Sequence, residues 1–389
     1  MQFARKLDAF APSIFVRLAQ ARELAREAGR EIIDLSVGTP DFPPAPHIRR
    51  VLAECAEDAR MYRYAIQDEP SLIDAAAEWY RRRYGVALER GQICGLIGSQ
   101  DGLAHLPLAL MNPGDTALLP DPGYPMFHTG VLLASGESYL TPLDEAGGYL
   151  PDFDAVPADV ARRAKLLVIS YPANPIGRLA PEGFFERAVH FAKRHNILVL
   201  HDNAYSELTY DGRLGGSFLA TPGALEVGVE LNSLSKSYNL TGARVSFALG
   251  RSDVVCALAQ LKSNIDYGIF RPVQRMAIAA LTGPQEHLDA LRAAYQSRRD
   301  ALCGALREQG WPVAPPEGTM FCWARLPDAA PDSEEFALGL LRGTGVTVVP
   351  GISFGRRGNR YIRFALTQPE ERLREAARRI GEYLASIAG

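Results

Sequence analysis

The stretch Val229-Glu230-Leu231-Asn232-Ser233-Leu234-Ser235-Lys236-Ser237-Tyr238-Asn239-Leu240-Thr241-Gly242-Ala243-Arg244 is the one around which the chain can be organised. A short apolar strand runs out into a polar loop holding Ser233, Ser235, Lys236 and Ser237, and Arg244 follows eight residues after the lysine. This set suits a phosphate-bearing aldehyde. A lysine amine can form a Schiff base with the aldehyde. Hydroxyls and a planar guanidinium can hold the phosphate oxygens. A solvated loop with an incidental lysine has the same composition, so the surrounding chain must decide.

Outward from this stretch, apolar runs alternate with helical patterns across residues 90–250. Strands are expected at Ile93–Ile97, Thr116–Leu119, Lys165–Ser170, Leu198–Leu200 and Val245–Leu249. Helices are expected over Pro46–Ala59, Ser71–Tyr84 and Pro181–His195, the second closed by Gly85. Lys165–Ser170 is almost wholly apolar, as in a strand covered on both faces. The pattern predicts an α/β fold, a three-layer sandwich with a mostly parallel central sheet. Ligands in such sheets bind beyond the carboxyl ends of the strands, where Ser99, Asn174, Asp202 and Lys236 all fall.

Other stretches add to that edge. Gly98-Ser99-Gln100-Asp101-Gly102 is a small-residue turn entering a helix, which aims backbone N–H groups at an anion. Its glycines lack the spacing of a dinucleotide fingerprint. Ile32–Pro44 is a short strand emptying into a loop at Gly38, where a bare backbone admits a ligand closely. Tyr124, in Asp121-Pro122-Gly123-Tyr124-Pro125, is presented by a stiff turn and could stack on a flat ring.

Beyond residue 250, helices near Asp253–Ile265, Val273–Leu281 and Glu286–Gln309 lead to short strands at Met320–Ala324, Val346–Val349 and Tyr361–Ala365. Helices at 333–342 and 369–386 complete a smaller α+β domain. The expected division is a large domain over 45–283, a small one over 284–389, and a segment 1–44, helical at its start, that joins the small domain.

At 389 residues the chain exceeds one ordinary core. Its 47% apolar and 22% charged content is that of a soluble globular protein. A net charge of -3 gives no general attraction to nucleic acid or anionic membrane. No apolar run approaches the roughly 18 residues of a spanning helix. The first residues lack a signal peptide's apolar core, so the expected compartment is cytoplasmic. Cys55, Cys94, Cys256, Cys303 and Cys322 are scattered and never form CxxC, as expected of free thiols in a reducing compartment.

Taken in order, these pieces resemble the fold-type I pyridoxal-phosphate enzymes, in particular the class I/II aminotransferases. Gly98–His105, Asp121–Pro125, Asp202–Glu207, Asn232–Arg244 and Lys262–Phe270 look most like the branch of LL-diaminopimelate, aspartate and alanine aminotransferases. The resemblance implies pyridoxal 5'-phosphate as cofactor and a ping-pong transfer of an amino group from an L-amino acid to a 2-oxo acid, commonly 2-oxoglutarate. It makes Lys236 the Schiff-base lysine and Asp202 the carboxylate under the pyridine nitrogen, an anion that keeps this nitrogen protonated. Asn174 and Tyr205 would hydrogen-bond the ring hydroxyl, and Tyr124 would stack on the ring. Ser99, the backbone N–H groups of Gln100 and Asp101, Ser233, Ser235 and Arg244 would form the phosphate cup. Arg363 would grip the substrate carboxylate in a two-pronged hydrogen bond, with Gly38 and Asn174 lining the same pocket. Tyr64 or Tyr62 would reach the phosphate of a neighbouring subunit, implying a homodimer with shared sites to which residues 1–44 contribute contacts.

The chain departs from the family pattern in places. Asn174-Pro175-Ile176-Gly177 loses a hydroxyl at Ile176, and Gln67-Asp68-Glu69-Pro70 is one residue short of the usual turn after Tyr64. Ala243 stands where many relatives carry tryptophan, and Gly355-Arg356-Arg357-Gly358 is more basic than usual. A lyase, a cyclase or an oxidase on the same scaffold could keep every residue named. Gly351-Ile352-Ser353-Phe354-Gly355 matches a hydrolase elbow, but no helix pattern and no histidine follow it. His190, His195 and His201 have no metal-ligand spacing, and no metal is expected.

Overall fold

The computed structural model describes residues 1–10 and 14–388. In chain order the strands are β1 (Ile33–Asp34), β2 (Ile93–Leu96), β3 (Thr116–Asp121), β4 (Glu137–Pro142), β5 (Ala164–Ser170), β6 (Leu198–Asn203), β7 (Gly228–Ser233), β8 (Ser246–Gly250), β9 (Phe321–Arg325), β10 (Val346–Thr347), β11 (Val349–Pro350) and β12 (Tyr361–Ala365).

Seven of them form one sheet in the order β2-β8-β7-β6-β5-β3-β4. β8 runs antiparallel to both neighbours, and the remaining pairs are parallel. Alternation along the buried strands explains the three layers. Leu167 and Ile169 of β5 join a core with residues of helices Pro70–Tyr84, Phe184–His195 and Arg271–Thr282. Leu166 and Val168 point the other way, into a core shared with helices Ser99–Leu110, Met126–Leu133 and Ser252–Lys262. A run apolar at every position is what a strand covered on both sides requires. Gly85 caps its helix in the left-handed region at φ 69°.

A third core joins Ile33 and Leu35 to residues from helices Glu286–Glu308, Ser333–Thr344 and Glu370–Ala388 and from the sheet β11-β12-β9. The strand expected over Val346–Val349 is split. β10 pairs in parallel with β1, whereas β11 pairs antiparallel with β12. The incoming segment takes both edges: the N–H of Leu35 donates to the Thr347 carbonyl at 2.8 Å and its carbonyl accepts from Ala365 at 2.7 Å. That threading delivers Ser36 and Gly38 to the end of the large sheet.

Beyond single turns of helix such as Leu234–Ser237, three elements escaped the sequence reading for physical reasons. Helix Met126–Leu133 is nearly all apolar and has no period to detect. Helix Ala158–Arg163 is under two turns. β4 is a mostly exposed edge strand with Glu137, Ser138 and Thr141 among its six residues.

Candidate active site

Ser233 ends β7 and caps the turn that follows, its Oγ accepting from the Ser235 N–H at 3.1 Å. The turn projects Lys236 to Gly38, whose carbonyl accepts from Nζ at 2.5 Å. Burial depresses the ammonium to about 8, with the charges of Arg363 and Arg244 adding to it. Such an amine is partly neutral at pH ~7–8 and available as a nucleophile or proton carrier.

Asp202 sits at the end of β6, buried, with Oδ1 lacking any hydrogen-bond partner among the described residues. Burial pushes its carboxyl up to about 6, against the charge of His201 and the Ala204 backbone N–H. Tyr205 is buried beside it, packing edge-on to Phe321 at 5.8 Å. Tyr124 accepts a hydrogen bond from Gln100 Nε2 at 2.9 Å, and burial and the Asp202 carboxylate push its phenol up.

Arg363 comes from β12, in the small sheet. Its Nη1 donates to Asn174 Oδ1 and its Nη2 to the Ser36 carbonyl, both at 3.1 Å. Its carbon Cζ lies 3.9 Å from the Phe321 ring centroid and 4.8 Å from that of Phe354, and Nε has no partner. Burial lowers it to about 10. A Cβ on Gly38 would stand 2.6 Å from Phe321 Cζ, so the loop can lie here only with glycine.

The anion cradle forms at the start of helix Ser99–Leu110. Gly98 is left-handed at φ +76°, and a Cβ there would meet Arg244 Nη2 at 2.2 Å. Arg244 is itself left-handed at φ 56° and donates to the Thr241 carbonyl at 3.1 Å. The Ser99 hydroxyl is buried without a partner. Helix N–H groups, a guanidinium and the unpaired Ser99 hydroxyl at one place fit a phosphate.

Asp101 departs from its expected role. Its N–H is already bonded to the Gly98 carbonyl at 3.0 Å. Its carboxylate takes the Ile97 N–H at 2.7 Å, His105 Nδ1 at 2.5 Å and the ammonium of Lys262. Asp101, His105 and Asp266 cluster as metal ligands would, but Lys262 occupies the middle, 2.9 Å from Asp266. Tyr62 and Tyr64 are exposed, packing on Phe270 and Tyr267 at 5.8 and 5.9 Å. The turn between them and helix Pro70–Tyr84 is tied down by Asp68, which accepts from the Gly95 N–H at 2.7 Å.

The sequence reading missed Phe321, Phe354 and the Ser36 carbonyl, which together hold Arg363. Two apolar residues and a backbone oxygen give no chemical signal in a sequence. Ser353, of the hydrolase-like motif, lies in a short turn of 3-10 helix followed by another, with no α-helix behind it.

Residues 30–380 match the family model described as aminotransferase class I and II. The chain belongs to the class I and II aminotransferases. It is similar over its full length, at 46% identity and 100% coverage of both chains, to an LL-diaminopimelate aminotransferase of Moorella thermoacetica. A second LL-diaminopimelate aminotransferase, from Halothermothrix orenii, is 41% identical over 98% of each chain. Among solved structures, a probable N-succinyldiaminopimelate aminotransferase from Thermus thermophilus superposes with a TM-score of 0.90 at 42% identity, covering 95% of this chain and 100% of that one. An aspartate aminotransferase of the same organism gives 0.92 at 27% identity, covering 98% and 100%. This aminotransferase is therefore an enzyme of small-molecule amino and 2-oxo acids, in a family that works through pyridoxal phosphate. No helix among the described residues is long and apolar enough to cross a membrane.

Proposed function

We propose that this aminotransferase takes its amino group from a donor with the diaminopimelate skeleton, LL-diaminopimelate first, and passes it to 2-oxoglutarate. The reading rests on the relatives named for that skeleton and on the polar groups gathered around Lys236. Bound there, pyridoxal 5'-phosphate supplies an aldehyde carbon and a ring that accepts electrons from the substrate Cα.

The chain's own residues do the remainder. Lys236 would hold the cofactor's aldehyde carbon, and its amine, largely neutral above about pH 8, would serve as the base for the substrate Cα proton. Asp202, whose Oδ1 has no partner, holds the proton of the ring nitrogen. Asn174 has given its oxygen to Arg363 and keeps its amide N–H groups for the ring hydroxyl, beside Tyr205. Tyr124 would stack on the ring. Ser99, the Gln100 N–H, Ser233, Ser235 and Arg244 hold the phosphate. Ser233 accepts from Ser235 and so keeps its own hydroxyl proton to donate.

Arg363 grips the α-carboxylate, with Gly38 giving room. Tyr62, Tyr64, Ile66, Ile265, Tyr267 and Phe270 form an exposed apolar group, which supports a homodimer in which Tyr64 reaches the partner's phosphate.

The observation that carries this reading is that Lys236 lies within reach of the charges of Arg363 and Arg244, that Tyr124 lies within reach of Asp202 and both arginines, and that Asp202 Oδ1, Arg363 Nε and the Ser99 hydroxyl are buried without partners among the described residues. The test is a donor panel of LL-diaminopimelate, its N-succinyl derivative, aspartate and alanine, with glutamate formation from 2-oxoglutarate as readout. LL-diaminopimelate is expected to have the highest kcat/KM. Without an oxo acid the enzyme must stop after one half-reaction; continued turnover would instead mean a lyase, cyclase or oxidase.

A further inference from the structure

On the face of β6 and β7 opposite Asp202, five donors converge on one buried carboxylate. Glu230 Oε1 accepts from the Tyr80 hydroxyl at 2.7 Å and from Asn203 Nδ2 at 3.0 Å. Oε2 accepts from His201 Nδ1 at 2.8 Å, the Ser217 hydroxyl at 2.9 Å and the Phe218 N–H at 2.8 Å. An ionised carboxylate offers about four lone-pair sites, and a protonated one would set its own O–H against these donors. Glu230 is therefore an anion. Burial pushes its carboxyl up, but the bonds and charge of His201, with Asn203 and Tyr80, outweigh burial and hold it below the usual range.

The other ring nitrogen of His201, Nε2, lies 2.9 Å from the Tyr171 carbonyl oxygen, which can only accept. Both nitrogens thus face acceptors, and only an imidazolium donates from both. Phe185 and Phe218 pack against the ring at 5.1 and 6.4 Å. Among the described residues, Glu230 is the sole charged group bonded to it. His201 precedes Asp202 on β6, and Glu230 stands across from His201 on β7. The ion pair therefore lies with its positive end on the strand that carries Asp202.

We propose that His201, held as a cation by Glu230 and the Tyr171 carbonyl, is a positioning residue that keeps Asp202 anionic and so able to fix a proton on the cofactor's ring nitrogen. This rests on the assignment of Asp202 made above. The sign is that of any cation near an acid: it favours the charged carboxylate against the burial that opposes it.

The test uses enzyme loaded with pyridoxal 5'-phosphate labelled with nitrogen-15 in the ring, whose chemical shift reports protonation directly. In His201→Gln the nitrogen should lose its proton at a pH at least about one unit lower than in wild type, with kcat falling about tenfold and KM unchanged. Should His201→Gln fail to fold, His201→Gln/Glu230→Gln keeps the shapes and removes both charges. A smaller shift in the same direction is then expected, because the opposing anion is gone too. A wild-type midpoint in whichever variant folds overturns the proposal. Asp202→Asn in the same measurement separates the two assignments: if it too leaves the nitrogen protonated, the fault lies in placing Asp202 under the ring.

Discussion

The two faces of strands β6 and β7 carry the same kinds of group in opposite states. On one face, Glu230 has a donor for every lone pair, and His201, Tyr80, Asn203 and Ser217 are bonded to it. On the other, one residue along, Asp202 has an oxygen with no partner among the described residues, and at the start of helix Ser99–Leu110 the Ser99 hydroxyl is also unpaired. Buried polar groups are normally bonded, because leaving one bare costs ~1–3 kcal/mol. The saturated face satisfies its one buried charge without a ligand, leaving only Asn203 Oδ1 bare among the groups bonded to Glu230, and belongs to the fold. The starved face is folded around something that the chain does not itself provide.

If that contrast holds, substitutions on the starved face should remove activity without costing stability, and those on the saturated face should cost stability first, with His201 alone also reaching the chemistry through Asp202. The largest effect is expected from Lys236→Ala, which should abolish turnover and the visible absorbance of cofactor-loaded protein. The cofactor-free variant should unfold no more easily than wild type and should gain stability near pH 7, the gain fading as pH rises from about 8 to 10.5, since folding lowers that ammonium from 10.5 to about 8 and the unfolded chain holds the proton more tightly. Retained catalysis would end the assignment. Glu230→Gln, on the other face, should cost ~3–5 kcal/mol in chemical denaturation, because an amide N–H₂ then meets donors and His201 loses its counter-charge. A stable Glu230→Gln protein with wild-type unfolding would break the comparison from the opposite side.

Asp202→Asn sharpens it through pH. Folding raises the Asp202 carboxyl from its ordinary 3.8 to about 6, so the folded cofactor-free chain holds that proton more tightly than the unfolded one. Stability from this group is full below pH 3.8 and is lost as pH rises to about 6, a difference on the order of 3 kcal/mol. Cofactor-free Asp202→Asn should therefore be more stable than wild type at pH 8, and the gap should close on acidification. Denaturant melts at several pH values check this, and the variant should also be catalytically impaired. Equal stability at pH 8 would mean that the carboxylate is not starved.

Much of this was legible in the sequence, and the boundary is physical. The alternation of two-sided apolar strands with helices gave the central sheet, because burial on both faces leaves an unbroken run such as Leu166–Ile169. Residues whose chemistry is written in their type, Lys236, Asp202, Asn174 and Arg363, were named beforehand. What stayed hidden depends on long-range placement. Phe321 under Arg363 looks like any strand residue, and the break between β10 and β11 exists only because residues 33–36 arrive from the other end of the chain. The Asp101 N–H had the right position for a phosphate cup but is turned back to the Gly98 carbonyl, and its carboxylate is held by Lys262, 161 residues away in sequence.

The smallest effect tests the contrast most directly, because it compares one hydroxyl with another. Ser217 donates to Glu230 at 2.9 Å, and its Oγ accepts from the Leu219 N–H at 3.2 Å. Ser217→Ala should thus cost ~1–2 kcal/mol of stability and leave cofactor affinity alone. Ser99 has no bond to lose in the cofactor-free chain. Ser99→Ala should leave the cofactor-free melt unchanged or slightly raised, since an unsatisfied buried hydroxyl is gone. One hydrogen bond to the phosphate would vanish instead, worth ~1–1.5 kcal/mol, or about a tenfold weaker Kd. Equilibrium titration of both variants with pyridoxal 5'-phosphate, beside their thermal melts, separates the two effects. If Ser99→Ala loses stability with its Kd unmoved, the unpaired hydroxyl is a packing accident and the phosphate lies elsewhere.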